Sequence, residues 1–394
     1  MRRRMAITFG VAVLALAMSA PAMADPWHPG FGRATLTGLA SLPAQTFVPG
    51  SEPSGAQLGT APINGVTPPF AAQPVQGFSG VVRRYDGTFD VLSDNGYGTK
   101  ANSADFLLRV HRVKPNFRQG KVEVLGGFNL SDPDGHVTWP LTRPDRTLTG
   151  ADFDVESIVR TVDGTYWIGD EFGPFLLHFS PTGKLLEAPI SLPGVKAPEN
   201  PFLNGEQPNL ASSKGFEGTA RSVDGRTLYP LLEGTVAGDP AGTLRINEFD
   251  LRKRAYTGKR WTYQLDSPSN AIGDMIAVDR HRFLVIERDG LQGDAAKTKR
   301  IYLVDTRDQN LRKTQVADLL DLANPRNLGG FGETFRFPFQ TIEDVVILDD
   351  WTLGVLNDNN FPFSAGRTPD KPDNDEFITV RLSRPLLADP RVYR

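Results

Sequence analysis

The chain has 394 residues, of which 39% are hydrophobic and 23% are charged, which is enough apolar sequence for one large domain or two ordinary ones. Its 39 Gly, 31 Pro and net charge of −3 exclude a collagen-like chain, a wholly disordered chain and a duplex-binding basic surface. With no Cys and five His, the composition also excludes disulfides, thiolate metal sites and cysteine nucleophiles, and disfavours a His-rich zinc site.

Residues 1–24 have the pattern of a cleaved secretory signal peptide. A basic start at residues 2–4 precedes an apolar run at 5–19, and Ala22-Met23-Ala24 is an A-x-A cleavage pattern before Asp25. The apolar run is too short for a comfortable membrane span, although an uncleaved anchor is the alternative. Both general secretory and twin-arginine export stay open. Cleavage removes three Arg and leaves 40 basic and 46 acidic residues. We therefore expect a soluble periplasmic or secreted protein with no membrane span.

Two segments precede the first repeat of the mature chain, for which we predict a single domain over residues 25–394. Residues 34–42 read as a β-strand that lacks a unit of its own. Residues 47–77 are rich in Pro, Gly, Ser and Ala, and this composition predicts a long loop insertion at the surface.

From residue 78 onward, five segments share one layout. In each segment two short apolar or β-branched runs flank an Asp-Gly or similar turn, which predicts a β-hairpin. A third strand-like run follows every hairpin, and fourth strands are plausible at 121–125 and 260–265. Helical periodicity is almost absent, with one short candidate at 316–322. The five hairpin segments are 78–95, 155–171, 216–233, 273–287 and 342–358.

Four strands in each unit, repeating at intervals of about 60 residues, indicate an all-β protein with the blades of a β-propeller. Five four-stranded blades are countable, and residues 126–150 leave room for a sixth. The last unit lacks a clear fourth strand. We predict that the N-terminal strand at 34–42 supplies it, because this pairing closes the ring and removes the exposed sheet edges.

The last four hairpins each carry an acidic residue before the first strand and another after the second. The two acids are separated by 15, 16, 13 and 15 residues in successive units. Because the open ends of a hairpin lie together, closing the ring should gather all these carboxylates around one channel mouth. The predicted metal ligands are Glu156, Glu171, Glu217, Glu233, Asp274, Glu287, Glu343 and Asp358.

So many carboxylates in one place require compensation, either by raised pKa values or by a bound cation. Oxygen-only ligands favour calcium or magnesium over zinc or copper, and calcium is the cofactor we expect. The alternative is that each acid caps a turn or pairs with its own Arg or Lys. Lys214 and Arg288 lie near the same rim and are candidate phosphate contacts. The sequence contains no serine-hydrolase elbow, P-loop, dinucleotide fingerprint or zinc-protease pattern, and no catalytic residue is predicted.

Several strings resemble an exported bacterial phytase-like family, described as "esterase-like activity of phytase". The resemblance spans residues 33–383, and it implies a β-propeller and a phosphoester hydrolase related to calcium-dependent alkaline phytases. The resemblance does not identify any catalytic residue in this chain. One departure is Glu343-Asp344, where a Glu-Gly pair is usual. The strings are DVESI (154–158), DGTYWIGDEFGPFL (163–176), GFEG (215–218), LVIERDG (284–290), KRIYLVD (299–305) and LNDN (356–359).

Three functions remain open at this point. The first is an exported, metal-dependent hydrolase of phosphate esters that binds calcium at the acidic mouth. The second is a non-catalytic, calcium-stabilised propeller that binds a cell-envelope ligand or protein, and the third is a metal-dependent hydrolase of carboxyesters or lactones. For the enzyme we expect a small anionic ester as substrate, no nucleic-acid partner and a monomer.

Overall fold

The repeated hairpins form β-sheets in the computed structural model, which describes residues 30–308 and 311–393. The predicted signal peptide at 1–24 lies outside the described residues. The strands are β1 (Thr35–Leu42), β2 (Phe78–Arg83), β3 (Phe89–Ser93), β4 (Arg109–Asn116), β5 (Lys121–Asn129), β6 (Val155–Arg160), β7 (Tyr166–Asp170), β8 (Phe175–Phe179), β9 (Ile190–Ser191), β10 (Phe216–Arg221), β11 (Thr227–Leu232), β12 (Thr243–Asp250), β13 (Ala255–Gln264), β14 (Ala271–Ala277), β15 (Arg282–Arg288), β16 (Lys299–Asp305), β17 (Arg312–Asp318), β18 (Leu322–Ala323), β19 (Thr334–Phe335), β20 (Thr341–Asp349), β21 (Thr352–Asp358) and β22 (Asp375–Arg381).

In the described part of the chain, helix is confined to short 3₁₀ segments. These segments are Ala56–Leu58, Gly293–Ala295, Leu328–Gly330 and Pro390–Tyr393. None of the described helices has the length and apolar character needed to span a bilayer.

The described residues form three four-stranded sheets and one ten-stranded sheet. Because a single residue pair links β1 to β5, we divide the large sheet there and number five four-stranded sheets first to fifth in chain order. The first four sheets are β2–β5, β6–β9, β10–β13 and β14–β17, each in sequential order. The fifth sheet has the order β20-β21-β22-β1. A single pair, Ser41 with Lys121, joins β1 of the fifth sheet to β5 of the first. The short strands β18 and β19 pair with each other beside β1.

The first strand of each sheet lies innermost, and these five strands form a ring. β2 contacts β6, β6 contacts β10, β10 contacts β14, β14 contacts β20, and β20 contacts β2. β1 pairs antiparallel with β22, from Thr35 opposite Arg381 to Leu42 opposite Asp375. The predicted all-β propeller closed by its N-terminal strand is thereby confirmed.

The hydrophobic core lies mainly between neighbouring sheets, not along the central axis. Between the second and third sheets, for example, Trp167 packs with Phe249 at 5.3 Å between ring centroids, and Phe216 and Leu228 are fully buried with them. This packing leaves the inner strands free to carry polar side chains into the channel.

Three local expectations have clear outcomes. The helix predicted at 316–322 is wrong, because Val316 and Ala317 lie in β17 and are buried in the sheet core. Residues 126–150, all of them described, hold the end of β5 followed by irregular chain and isolated bridges, not a further four-stranded sheet. Apart from the 3₁₀ segment Ala56–Leu58, residues 47–77 form irregular chain with isolated bridges such as Phe47 to Pro74, and this chain packs against Phe361.

Candidate metal centre

Each inner strand has a β-bulge near its start, and the bulge places one residue of every sheet at an equivalent position. A bulge re-aims the side chain of the extra residue. In three of the five strands that residue is glutamate. The bulge residues are Ser79, Glu156, Glu217, Gly273 and Glu343.

The second strand of each hairpin brings a partner residue to the same end of the sheet. Each partner follows its bulge residue by 15 or 16 positions. Four of the partners are acidic, and the fourth sheet supplies an arginine instead. The partners are Asp94, Glu171, Glu233, Arg288 and Asp358.

These hairpin ends form a carboxylate cluster at one end of the channel. Its members are Asp94, Asp154, Glu156, Glu171, Glu217, Glu233, Glu343 and Asp358, none of them more than 9% exposed. Carboxylate oxygens of Asp154, Glu156 and Glu171 lie within 4.8 Å of one another, and so do those of Glu171, Glu217 and Glu233. Glu171 therefore joins the two groups.

Two cations reach this cluster. Nη2 of Arg288 lies 2.8 Å from Oε1 of Glu343, 3.1 Å from Oε1 of Glu217 and 3.5 Å from Oε1 of Glu233. Lys214 forms an ion pair with Glu233, and its side chain is 43% exposed. Lys214 thus marks where the cluster approaches solvent. The ion pairs of the two cations are with Glu217, Glu233 and Glu343, and the charge of Lys214 also acts on Glu171.

The crowding of acids perturbs their protonation. Burial, helped by the charge of Asp154, raises the pKa of Asp94 to about 8. Burial and the neighbouring carboxylates raise the pKa values of Glu156 and Glu171 well above the usual range. Although burial opposes its charge, the surrounding glutamates raise the pKa of Arg288. The cluster therefore has more negative charge than Arg288 and Lys214 neutralise.

The donor set fits a hard divalent cation. Oε1 of Glu171 is buried and has no hydrogen-bond partner, although buried polar atoms are nearly always paired. Asp154 accepts a hydrogen bond from Nδ2 of Asn95 at 2.7 Å, which orients its carboxylate. Oxygen ligands from carboxylates are those that calcium and magnesium prefer. Asp154, Glu156 and Glu171 would hold such an ion.

The structure places Asp274 outside the cluster. Its position in the strand is that of Gly80, Ser157 and Gly218, one residue beyond the bulge. Its carboxylate accepts hydrogen bonds from the backbone N–H groups of Met275 at 2.6 Å and Val345 at 3.1 Å. Burial raises the pKa of Asp274 to about 7. The side chain thus ties β14 to β20.

Glu287 also lies away from the cluster, between the third and fourth sheets. Its carboxylate accepts hydrogen bonds from the Tyr263 hydroxyl at 2.8 Å and from Nζ of Lys313 at 2.6 Å. The backbone of Asp266 and the amide of Asn270 donate to its other oxygen at 2.7 and 2.8 Å. With four donors, this carboxylate has no vacant position for a metal.

The structure brings together six of the eight predicted ligands, leaving out Asp274 and Glu287, and whether any of the six binds a metal stays a prediction. The separation of 13 residues between Asp274 and Glu287 was the signal that the register differed, because the bulge at Gly273 restores the common separation of 15 to Arg288. Asp94 occupies the same repeat position as Glu171 and could have been found from the layout. Asp154 precedes its bulge residue by two positions, and the repeat gave no signal for it.

One curated relative and several solved structures are similar to the chain. An "Uncharacterized secreted protein" of Arthroderma benhamiae (strain ATCC MYA-4681 / CBS 112371) is 25% identical over 332 residues, which are 64% of this chain and 64% of that protein. A luciferin-regenerating enzyme is 9% identical over 76% of each chain, with a TM-score of 0.39. The periplasmic gluconolactonase of Pseudomonas aeruginosa is 13% identical over 82% of this chain and 78% of its own, with a TM-score of 0.34.

A match to a known protein family extends over most of the strands. The sequence pattern of the phytase-like family, described as "Esterase-like activity of phytase", matches residues 73–361. The matched range runs from just before β2 to just beyond β21 and includes every member of the carboxylate cluster. The chain therefore belongs to the phytase-like family.

Proposed function

We propose that the protein is an exported hydrolase of phosphate esters that binds a divalent cation, calcium first, at Asp154, Glu156 and Glu171. The unpartnered buried oxygen of Glu171 carries this proposal. Two like charges 4 Å apart repel by about 4 kcal/mol at an effective dielectric constant of 20. Among the described residues no Lys or Arg forms an ion pair with this group of three, although the charge of Lys214 acts on Asp154 and Glu171 from a longer distance. A dication would offset that repulsion.

A cation bound there would polarise a phosphoryl oxygen and lower the pKa of a bound water. The surrounding side chains have separate tasks. Lys214, at the solvent-facing side of the cluster, can donate to a non-bridging phosphate oxygen. Arg288 is engaged by three carboxylates, so we assign it the role of holding the walls of the cluster in place.

Two findings support the class of activity and the location. The family description names both phytase and esterase activity. The Arthroderma relative is described as secreted, which supports export of this chain through its signal-like residues 1–24. If export occurs as proposed, N-terminal sequencing of the protein recovered from the periplasm or medium should begin at Asp25.

The burial of the cluster favours a second candidate, a propeller whose cation is structural. Every cluster carboxylate is at least nine-tenths buried, and Arg288 already pairs with three of them. A structural cation is saturated by protein ligands, whereas a catalytic one keeps a position open for water or substrate. Stability and turnover after chelation therefore separate the two candidates.

The test combines metal analysis with a substrate panel. Purified mature protein is analysed for calcium and magnesium, then assayed with and without chelator on phytate, simple phosphomonoesters, carboxyesters and a lactone. Glu171→Gln removes a ligand charge, and Glu123→Gln, at an exposed position of β5, is the matched control. We expect Glu171→Gln to weaken calcium binding by about 10- to 100-fold and to reduce phosphate release accordingly, while Glu123→Gln changes neither.

The outcomes are distinct. Phosphate release that survives both the chelator and Glu171→Gln contradicts the metal-dependent mechanism. If the protein turns over no substrate even without chelator, and the chelator lowers its melting temperature, the result supports a structural cation. If only carboxyesters or lactones are turned over, the carboxylate cluster would be the active site of a hydrolase for those esters.

A further inference from the structure

The end of the channel opposite the carboxylate cluster is basic. Three of the five inner strands, β2, β6 and β10, finish with an arginine four residues after the bulge position. Because a strand rises about 3.3 Å per residue, these arginines lie roughly 13 Å along the channel from the bulge. They are Arg83, Arg160 and Arg221.

A cavity of about 420 Å³ opens at this end, and the inner strands of all five sheets line it. We call it the arginine cavity, because Arg83, Arg84, Arg160, Arg221 and Arg391 all contribute to its lining. The remaining wall is largely apolar, with Val159, Ala220, Ile276 and Val346 among its residues. Its volume is in the range of sites that hold small organic molecules.

Three of the five arginines have partners that satisfy them. Arg84 pairs with Asp90 at 3.0 Å and Arg391 with Asp389 at 2.6 Å. Arg83 donates to the carbonyl oxygen of Leu348 at 2.7 Å. These contacts fix the shape of the rim. Arg84 and Arg391 are paired with carboxylates, whereas Arg83 has a neutral carbonyl partner and keeps its positive charge.

Arg160 and Arg221 differ from the others. Among the described residues neither has a carboxylate within ion-pair distance, and Nε of Arg160 is buried without a hydrogen-bond partner. Burial lowers the pKa of Arg221, and no carboxylate offsets this effect. A desolvated cation with no counter-ion is costly unless a ligand supplies the opposite charge.

The rim also exposes apolar surface. Tyr85 and Val162, on the turns that follow β2 and β6, are 89% and 92% exposed. Tyr85 and Arg221 both line the cavity. An exposed aromatic ring and a guanidinium without a carboxylate partner in one cavity suit a ligand that has both an apolar body and a negative charge.

One carboxylate, that of Asp274, also lines the cavity. It is held by the N–H groups of Met275 and Val345, on the side of the channel toward the bulges. Its charge would oppose an anion placed deep in the cavity. An anionic group is therefore favoured at the level of Arg160 and Arg221, with the apolar part of the ligand against the valine and isoleucine wall.

We propose that the arginine cavity binds a small organic anion, a carboxylate or phosphate attached to an apolar or aromatic body, through Arg160 and Arg221. This site lies at the other end of the channel from the carboxylate cluster. It needs no metal and does not depend on the proposed hydrolase activity.

The test uses phenylphosphonate, a non-hydrolysable aryl anion, titrated calorimetrically into the full mature protein in the presence of chelator. The neutral analogue benzyl alcohol is titrated in parallel. We expect the anion to bind with Kd of about 1 mM or tighter. The Arg160→Gln/Arg221→Gln double variant should weaken it at least about tenfold. Arg118→Gln, an exposed arginine elsewhere, is the control and should leave Kd unchanged.

Two further variants keep the result interpretable. The Arg160→Lys/Arg221→Lys variant retains both charges and should retain part of the affinity. This result would show that the Gln double variant does not lose affinity merely because the cavity misfolds. Glu171→Gln alters the carboxylate cluster and should leave binding intact, which distinguishes the two ends of the channel. Equal affinity of wild type and the Gln double variant, equal affinity for benzyl alcohol, or no binding by the wild type overturns the proposal.

Discussion

At the scale of single residues, Arg288 decides the electrostatics of the carboxylate cluster. It stands where the four other sheets carry Asp94, Glu171, Glu233 and Asp358, so the repeat places a cation among the acids instead of another acid. Its Nη2 contacts Glu217, Glu233 and Glu343, which come from two different sheets. The arginine therefore acts as a fixed counter-ion that ties the third and fifth sheets together through the fourth.

Replacing Arg288 by Gln should destabilise the protein strongly. Removing one partner leaves uncompensated buried carboxylates, and such a change typically costs about 3–5 kcal/mol. The free energy of unfolding, measured by urea titration in chelator, reports the loss. Added calcium should recover part of it, because a dication can take over the lost charge.

The matched control for this prediction is Arg118→Gln, which removes an exposed arginine. Its free energy of unfolding should stay within about 0.5 kcal/mol of wild type. Equal stability of Arg288→Gln and wild type in chelator would contradict the role of Arg288 as counter-ion.

At the scale of the element, the bulged hairpin is the unit that builds the site. One bulge near the start of each inner strand turns a chosen residue toward the channel mouth, and the next strand returns its partner to the same end. In β14 the bulge residue is Gly273, because the neighbouring β20 approaches too closely for a side chain. A Cβ at that position would lie 2.0 Å from the carbonyl oxygen of Ile342 and 3.0 Å from Cα of Glu343.

Gly273→Ala tests this close approach. The added methyl group would force β14 away from β20 and displace Glu343, so we expect a loss of about 3 kcal/mol in the free energy of unfolding. Gly290→Ala is the control, because a Cβ there has no neighbouring atom within 4 Å. Thermal or urea unfolding of both variants decides the matter. A Gly273→Ala protein as stable as the control would show that the two strands can separate without cost.

The same element explains how far sequence reasoning could reach. The Asp-Gly turns and apolar runs locate the hairpins, since both signals act over a few residues. They do not locate a bulge, which changes the register by one residue and leaves the hydrophobic pattern almost unaltered. For this reason the sequence assigned Asp274 and Glu287 to the mouth, although Gly273 and Arg288 occupy the equivalent positions.

At the scale of the whole molecule, the channel is divided by charge. One end holds eight buried carboxylates and the other is lined by five arginines. Because folding brings the acids together without an equal number of cations, the protein stores electrostatic repulsion at one end. A bound cation would relieve it, and so would protonation.

This division predicts an unusual pH dependence for the metal-free protein. The pKa of Asp94 is raised to about 8 in the folded state, above its usual value of 3.8, by burial and by Asp154. A group with a raised folded pKa contributes stability at low pH that is lost as pH rises through the folded pKa. In chelator, the free energy of unfolding should therefore fall as pH rises from 6.5 to 9.

The control for this prediction is the same pH series measured with added calcium. A cation that binds the ionised carboxylates should flatten or reverse the trend over the same pH range, and the two series of melting temperatures measure it. A metal-free protein whose stability does not fall between pH 6.5 and 9 would contradict the unmet charge in the cluster.

The sequence by itself determined the repeated hairpins, the closure of the ring by residues 34–42 and the presence of acids at one end of most hairpins. These features follow from local turn chemistry, from the alternation of apolar residues and from the need to pair edge strands. Only the tertiary structure decided which acids meet, that Arg288 stands among them, and that Arg160 and Arg221 share a cavity without a carboxylate partner. Those outcomes depend on bulges and on the close packing of neighbouring inner strands, where a shift of one residue exchanges a glutamate for a glycine or an arginine.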